Sequence, residues 1–208
     1  MARKTLTNPR KQASQERSRA TVDALVEATA RILVREGYDK ASTNRIAEQA
    51  GVSIGSLYQY FPSKEALVAE VIDRHRQEIV QVARSALAKA VGRPLRQSVR
   101  TLVNAAIEGH RVDPKLHRVL TEQLPRTGRL EKIESFNREN VALFRAYLES
   151  HANELRNVDL GLAAFVCVTS IEALTHTAVL HHSEVLSDEK AVERLVDEAT
   201  RLVVGYLE

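Results

Sequence analysis

The residues best suited to chemistry stand close together between Ser42 and Lys64, in the stretch STNRIAEQAGVSIGSLYQYFPSK. Ser42 and Thr43 offer hydroxyls, and the helix amides behind them suit a phosphate oxygen. Arg45 carries a guanidinium that can take guanine O6 and N7 as a pair, or it is plain surface. Ile54 can meet a thymine methyl, Gly55 lets a helix approach closely, and Ser53 and Ser56 donate or accept hydrogen bonds. These are groups for reading and gripping a duplex without covalent chemistry. Reaction chemistry finds no comparable set. Gly51 to Gly55 matches the letters G-x-S-x-G, but a nucleophile elbow follows a strand, and the segment before Ser53 reads as helix. No catalytic residue is assigned, and the chain is expected not to be an enzyme. His110, His117, His176, His181 and His182 have no Cys beside them and no HExxH spacing, so no metal and no cofactor are expected.

The local pattern gives these side chains a frame. Ser42 caps a short helix running to Gln49, and Gly51 supplies a turn through positive φ. Ser53 caps a second short helix to about Tyr60, and Pro62 and Ser63 open a third at Lys64. Ile46 and Ala47 face inward on the first, Val52 plugs the turn, and Leu57 and Phe61 fill the inner side of the second. This is a helix-turn-helix pattern, whose second helix fits the major groove. Ile54, Gly55, Ser56 and Tyr58 then point outward. Before it, Val22, Leu25, Val26, Ile32 and Leu33 form one face of a helix from about Arg19 to Glu36 that Gly37 stops. Thr29 is the polar member of that stripe, with a hydroxyl able to bond a carbonyl one turn back.

The run IAEQAGVSIGSLYQYFPSKEAL, preceded by a helix ending in REGYDKAS, resembles the DNA-binding domain of TetR-type transcriptional regulators. The likeness covers roughly Thr21 to Val71. It implies that Tyr58, Tyr60 and Lys64 grip the DNA backbone on either side of the recognition helix. It also implies a homodimer and a body that binds a small-molecule effector.

Composition agrees with a helical, DNA-facing chain. Of 208 residues 44% are hydrophobic, enough for a core, and long periodic segments point to an all-α fold with no competing strand pattern. Residues 1–64 hold eleven Lys and Arg against six Asp and Glu, and the remainder nineteen against twenty-one. The positive excess therefore lies where the helix-turn-helix lies, as a phosphate-binding head requires. Residues 1–18 read as a basic, flexible segment, either a solvated tail or an arm that adds phosphate or minor-groove contacts once DNA is bound. The lone Cys167 sits in the apolar run LAAFVCV and is expected to be a buried, inert thiol. No signal-peptide pattern begins the chain, and Glu172 and His176 interrupt the apolar stretch Leu160 to Leu180, so no membrane span and a cytoplasmic location are expected.

The chain divides by pattern into the arm, a DNA-binding domain at residues 19–64 and an effector-binding and dimerisation domain at residues 65–208, with about nine helices in all. Lys64 to about Ala90 reads as one long helix that begins in the head and continues into the body, a rod able to carry a displacement. Helices follow at Leu95 to His110, after Pro114 to Leu124, from beyond Gly128 to about Leu155, at Leu160 to His181 and at Asp188 to Tyr206. The last two are apolar beyond what one small core can cover, and a second chain completing a four-helix bundle would cover the rest. For an effector, Phe136, Asn137, Asn140 and Phe144 share one helix face, and Gln123, Thr169, Ser170 and His176 add polar groups. The buried amides need a partner, whether side chain, water or ligand. The reading is a ligand-responsive regulator, most simply a repressor released from a palindromic operator. The alternative is a small-molecule-binding or interaction protein whose helix-turn-helix no longer acts on DNA.

Overall fold

The computed structural model of the chain describes residues 16–111, 113–127 and 130–208, leaving aside the side chains of residues 17, 122–137 and 183. Among these there are ten α-helices and no strand: α1 Glu16–Glu36, α2 Thr43–Gln49, α3 Ile54–Tyr60, α4 Lys64–Ala90, α5 Leu95–Arg111, α6 Pro114–Thr127, α7 Leu130–Ser150, α8 Leu160–His181, α9 Ser183–Ser187 and α10 Glu189–Leu207. The chain separates into two compact units, one of residues up to Arg76 with Lys115–Leu130, the other of Gln77–Pro114 with Glu131–Glu208. The division falls inside the unbroken helix α4.

Three elements differ from the sequence pattern. α1 begins at Glu16 rather than Arg19, so the described part of the basic segment is already helical; residues 1–15, and with them most of the expected arm, lie outside the described residues. α6 runs through Pro125 to Thr127 instead of stopping at Leu124. A proline in a helix's last turn forfeits one hydrogen bond there, and few residues remain to be disrupted beyond it. The polar link HHSEVLSDE contains the extra helix α9, and the helix expected to reach Leu155 ends at Ser150, followed by a 3-10 turn Ala152–Glu154.

In the first unit the apolar stripe of α1 meets the inner faces of α2, α3 and α4. Leu25, Ile32, Leu33, Ile46, Leu57 and Leu67 are each fully buried, and Phe61 is 1% exposed. Each such side chain contributes about 1.5–3 kcal/mol of burial, so a cluster of this size holds two seven-residue helices that could not stand alone. The Thr29 hydroxyl donates to the Leu25 carbonyl at 2.7 Å, so the single polar residue of the α1 stripe is satisfied inside its own helix. Leu120 of α6 joins the same core. No periodicity within α6 announced that partner.

In the second unit, Leu95, Val99, Val103 and Ile107 repeat every fourth residue of α5 and pack against Val192, Val196, Ala199 and Val203 of α10. Arg100 of α5 pairs with Asp197 of α10, and Arg111 reaches Glu189 at 2.5 Å. Arg100, Asp197 and Arg111 are half-buried and Glu189 is exposed, so solvent still screens both pairs and they fix register more than stability. α8 fills the centre with Ile171 and with Ala163, Ala164 and Cys167, the last three small enough to let its neighbours come close, and its N-terminus is capped by Asp159, which accepts from the Leu162 amide at 2.7 Å. Burial pushes the Cys167 thiol up to about 12, which leaves it protonated and inert as expected. By length and composition α8 is apolar enough to cross a membrane, contrary to the sequence expectation, because Glu172 and His176 are too few to break a 22-residue run. In the structure one face of α8 belongs to the core of this unit.

Candidate nucleic-acid interface and effector cavity

α2 and α3 are placed by their caps and their turn. The Ser42 Oγ accepts from the Arg45 amide at 3.3 Å, and the Ser53 Oγ accepts from the Ser56 amide at 3.1 Å. Each satisfies one amide of a helix N-terminus. Between them Gly51 has φ +69°, its amide bonds the Glu48 carbonyl at 3.1 Å, and the Val52 amide bonds the Ala47 carbonyl at 3.0 Å. Ala47 is 3% exposed, and a larger side chain there would force the two helices apart. The turn therefore follows from three residue types: a serine on each helix, a small residue at the crossing and a glycine at positive φ.

The outer face then carries the groups expected to meet DNA. Ile54 is 38% exposed and Tyr58 42%, unusual exposure for large apolar residues beside a packed core. Gly55 is exposed, with only the Ser53 Oγ near the position of a Cβ. Ser53 and Ser56 share a hydroxyl bond of 2.9 Å, and Thr43 Oγ1 lies 3.1 Å from the Tyr58 hydroxyl. That last bond joins the start of α2 to the middle of α3, so two of the expected phosphate-gripping hydroxyls form one cluster. Arg45 is on the surface and paired at 2.7 Å with Glu36 of α1. With Arg45 exposed and Glu36 half-buried, the pair is still open to solvent and worth about 0–1 kcal/mol, so the guanidinium is able to exchange partners.

Of the residues that the resemblance assigns to the DNA backbone, Tyr60 is placed differently from the expectation. Tyr60 is 7% exposed and its hydroxyl donates to the Ser18 Oγ at 3.0 Å. It is a core residue that holds the start of α1 against α3, because the helical period turns position 60 to the same side as Leu57. Lys64 is half-buried: its Nζ donates to the Tyr38 carbonyl at 3.1 Å and stands 3.9 Å from the Tyr38 ring centroid. The Tyr38 hydroxyl in turn donates to Glu65 Oε1 at 3.0 Å. Burial works to raise the Glu65 carboxyl, but bonds from its own backbone, from Tyr38 and from Ser63, with Lys64 adjacent, hold it below the usual carboxylate range. Glu65 also sits in the first turn of α4, where negative charge is favoured.

Among the described residues of the second unit, α4, α5, α7 and α8 line a half-open cavity of about 90 Å³. Ile79, Ala83 and Leu87 form its α4 wall, Leu102, Ala105, Ala106 and His110 the α5 wall, Asn140, Leu143 and Phe144 the α7 wall, and Val168, Ile171 and Glu172 the α8 wall. Of the expected effector residues, Asn140 and Phe144 are there. Ser170 instead lines an outer groove with Leu174, Leu195 and Leu202, Thr169 is exposed, and His176 is half-buried and close enough to His110 of the wall to influence its charge. α8 places Thr169 and Ser170 on faces other than that of Val168 and Ile171, whereas His176 follows Glu172 by one turn. The side chains of Gln123, Phe136 and Asn137 lie outside the described residues. The pattern had a signal for what was missed: Ile79, Ala83 and Leu87 repeat at helical spacing with a small residue in the middle, and Ala105-Ala106 faces them.

The chain matches two family descriptions, "Bacterial regulatory proteins, tetR family" over residues 25–71 and "Tetracyclin repressor-like, C-terminal domain" over residues 94–207. It belongs to the TetR family of bacterial regulators. Among characterised relatives it is similar to the nucleoid occlusion factor SlmA of Haemophilus ducreyi, 29% identical over 53% of this chain and 52% of that one. It is also similar to the transcriptional activator FasR of Mycolicibacterium smegmatis, 35% identical over 47% and 44%, and to the repressor KstR of the same species, 37% identical over 31% and 32%. The matches thus span about half the length of these relatives or less. Solved structures share the fold across most of the chain. A TetR-family regulator from Mesorhizobium loti superposes with a TM-score of 0.74 at 20% identity, covering 92% of this chain and 97% of that one. The fatty acid degradation regulator FadR from Bacillus halodurans gives 0.67 at 20% identity, covering 89% and 95%. TetR-family membership accounts for the helix-turn-helix and for the separate helical unit that follows it.

Proposed function

We propose that this TetR-family protein is a homodimeric, effector-responsive transcriptional regulator that binds a palindromic DNA operator and, as a repressor, leaves it when a small molecule occupies the cavity. The observation that carries the reading is α3, a short N-capped helix with a fully buried inner face and an outer face of Ile54, Gly55, Ser56 and Tyr58. Packing alone gives no reason to expose Ile54 and Tyr58, whereas a helix lying in the major groove needs apolar contact for thymine methyls and hydroxyls for phosphates. Ser42, Thr43 and Tyr58 grip phosphates, Arg45, Ser53 and Ser56 reach base edges or the groove rim, and Lys64 acts on the backbone beside α4. Tyr60 positions α3 from behind.

Dimerisation is supported by the outer face of α8 and α10. Leu162 is 58% exposed, Phe165 55%, Leu174 40% and Leu202 54%, four large apolar side chains on two adjacent helices. A second copy would cover them as a four-helix bundle and would set two recognition helices about 34–36 Å apart, one turn of the duplex. The location follows as cytoplasmic, beside the DNA.

The switch is a matter of α4. The same unbroken helix carries Leu67 and Val71 in the core of the head and Ile79, Ala83 and Leu87 on the cavity wall. A cavity of about 90 Å³ is far below the roughly 300–1,000 Å³ of an ordinary ligand pocket, so an effector must push its walls outward. Displacing α4 moves the head, and two heads out of register no longer meet both half-sites. Moving the population from 1:99 to 99:1 requires about 5.5 kcal/mol of differential effector binding.

The test is operator binding by a Tyr58→Phe, Ile54→Ala variant. Lost affinity with an unchanged melting temperature supports the reading; retained affinity contradicts it. If neither this variant nor the parent protein binds any duplex and target expression is unchanged without the protein, the chain is instead a ligand-binding or interaction protein.

A further inference from the structure

Helical geometry fixes which side chain of α3 stands nearest the middle of its outer face. Leu57 and Tyr60 are the buried residues of this helix. At about 3.6 residues per turn, Gly55 lies roughly 170° from their mean direction and so marks the centre of the face turned away from the core. Ile54 and Ser56 lie about 100° to either side of Gly55 and Tyr58 about 60° from it, while Gln59 is only about 40° away. A Cβ at Gly55 would meet only the Ser53 Oγ, at 3.9 Å, so the space over that centre is open. Cα–Cβ bonds tilt toward the helix N-terminus, which carries the Gln59 side chain back over the turn that Gly55 occupies.

Gln59 is exposed, and among the described residues its amide has no hydrogen-bond partner. The other polar side chains facing outward are engaged within the chain: Ser56 with Ser53, Tyr58 with Thr43, and Arg45 with Glu36. The two other exposed amides of the motif, Asn44 and Gln49, stand on α2, which in this docking mode crosses the DNA backbone instead of entering the groove. We propose that Gln59 reads one adenine in each operator half-site, its amide oxygen accepting from N6 and its amide nitrogen donating to N7 in the major groove. The proposal rests on α3 being the recognition helix of the proposed regulator. Adenine is the base whose major-groove edge sets a donor beside an acceptor; guanine offers two acceptors, cytosine a donor alone, and thymine an acceptor with a methyl group.

The test is selection from a randomised duplex library by the full-length parent, Gln59→Ala and Gln59→Glu. Base preference is scored position by position, and the selected duplex and its single-base variants are then titrated with each protein. The parent should favour adenine at one symmetric position of the half-site by about fivefold to 150-fold over other bases. Gln59→Ala should flatten that position alone and leave the melting temperature unchanged. Gln59→Glu, equal in size but without the donor, should move the preference there to cytosine, whose N4 donates. An adenine preference that survives both substitutions, a lost preference for a base other than adenine, or affinity lost equally for all sequences, as from a phosphate contact, overturns the proposal while the regulator reading stands. Enrichment of no duplex by the parent overturns both.

Discussion

Substitution of Gly51 isolates the backbone cost of the helix-turn-helix from its packing. The residue has φ +69°, and a Cβ added there would have no atom within 4 Å. Steric clash with neighbours therefore contributes nothing, and the cost is that of the left-handed conformation itself. For alanine that cost is about 1–2 kcal/mol. Loss of glycine's freedom in the unfolded chain offsets about 0.4–1 kcal/mol of it. The net loss for Gly51→Ala is about 1 kcal/mol, or roughly 2–4 °C in melting temperature for a chain of this length. Asparagine tolerates the region better and should cost less, and valine, branched at Cβ, should cost more. Thermal and urea unfolding of the three variants, followed by circular dichroism, gives the order. Operator affinity measured well below the transition should stay close to that of the parent, because the turn geometry is unchanged. A loss of about 3 kcal/mol or more for alanine would show that packing around the turn is tighter than the structure has it, and valine no worse than alanine would show that the left-handed backbone is not what sets the cost.

Leu57→Ala removes a fully buried side chain between α2 and α3 and should cost about 2–5 kcal/mol, while Ile54→Ala on the outer face should cost under about 0.5 kcal/mol of stability yet weaken operator binding several-fold; equal destabilisation by the two would contradict the assigned faces. Cys167, with its thiol at about 12, should hold roughly one thiolate in ten thousand at pH 8 and resist a thiol reagent until the protein is denatured; rapid labelling of native protein would refute its burial. His110 has a folded-state pKa below its ordinary value of 6.5, so the unfolded chain takes up the proton first as pH falls. Its contribution to stability is complete above that ordinary value and is lost as pH drops below it toward the depressed folded pKa. The melting temperature of the parent should thus fall more between pH 7.5 and 5.5 than that of His110→Gln, and identical pH profiles would remove His110 from the account.

The head was legible because its determinants are local. Ser42, Gly51 and Ser53 each act within four residues of their own position, so caps, turn and helix ends follow from residue type and spacing. The burial of Tyr60 follows from the helical period it shares with Leu57, which the resemblance obscured, while its hydrogen-bond partner Ser18 lies 42 residues earlier and could not be read from the sequence. α8 shows the limit in the body. Its sequence is apolar on nearly every side, so periodicity could not assign Ser170 to the outer groove, Thr169 to solvent and Val168 with Ile171 to the cavity. Asn140 was recognisable as a polar residue on an apolar stripe, but its partner Glu172 stands 32 positions away on another helix. Pro125 misled for a different reason: a proline marks the end of a helix only within a turn or so, and α6 closes two residues beyond it.

The most direct measurement of the central claim is selection of genomic DNA fragments by the purified protein, followed by titration of the selected duplex in increasing salt. The account predicts a palindrome whose half-sites lie one helical turn apart, bound by two chains, with affinity falling steeply as salt rises. Enrichment of no sequence above background, in the presence or absence of cellular small molecules, would contradict it.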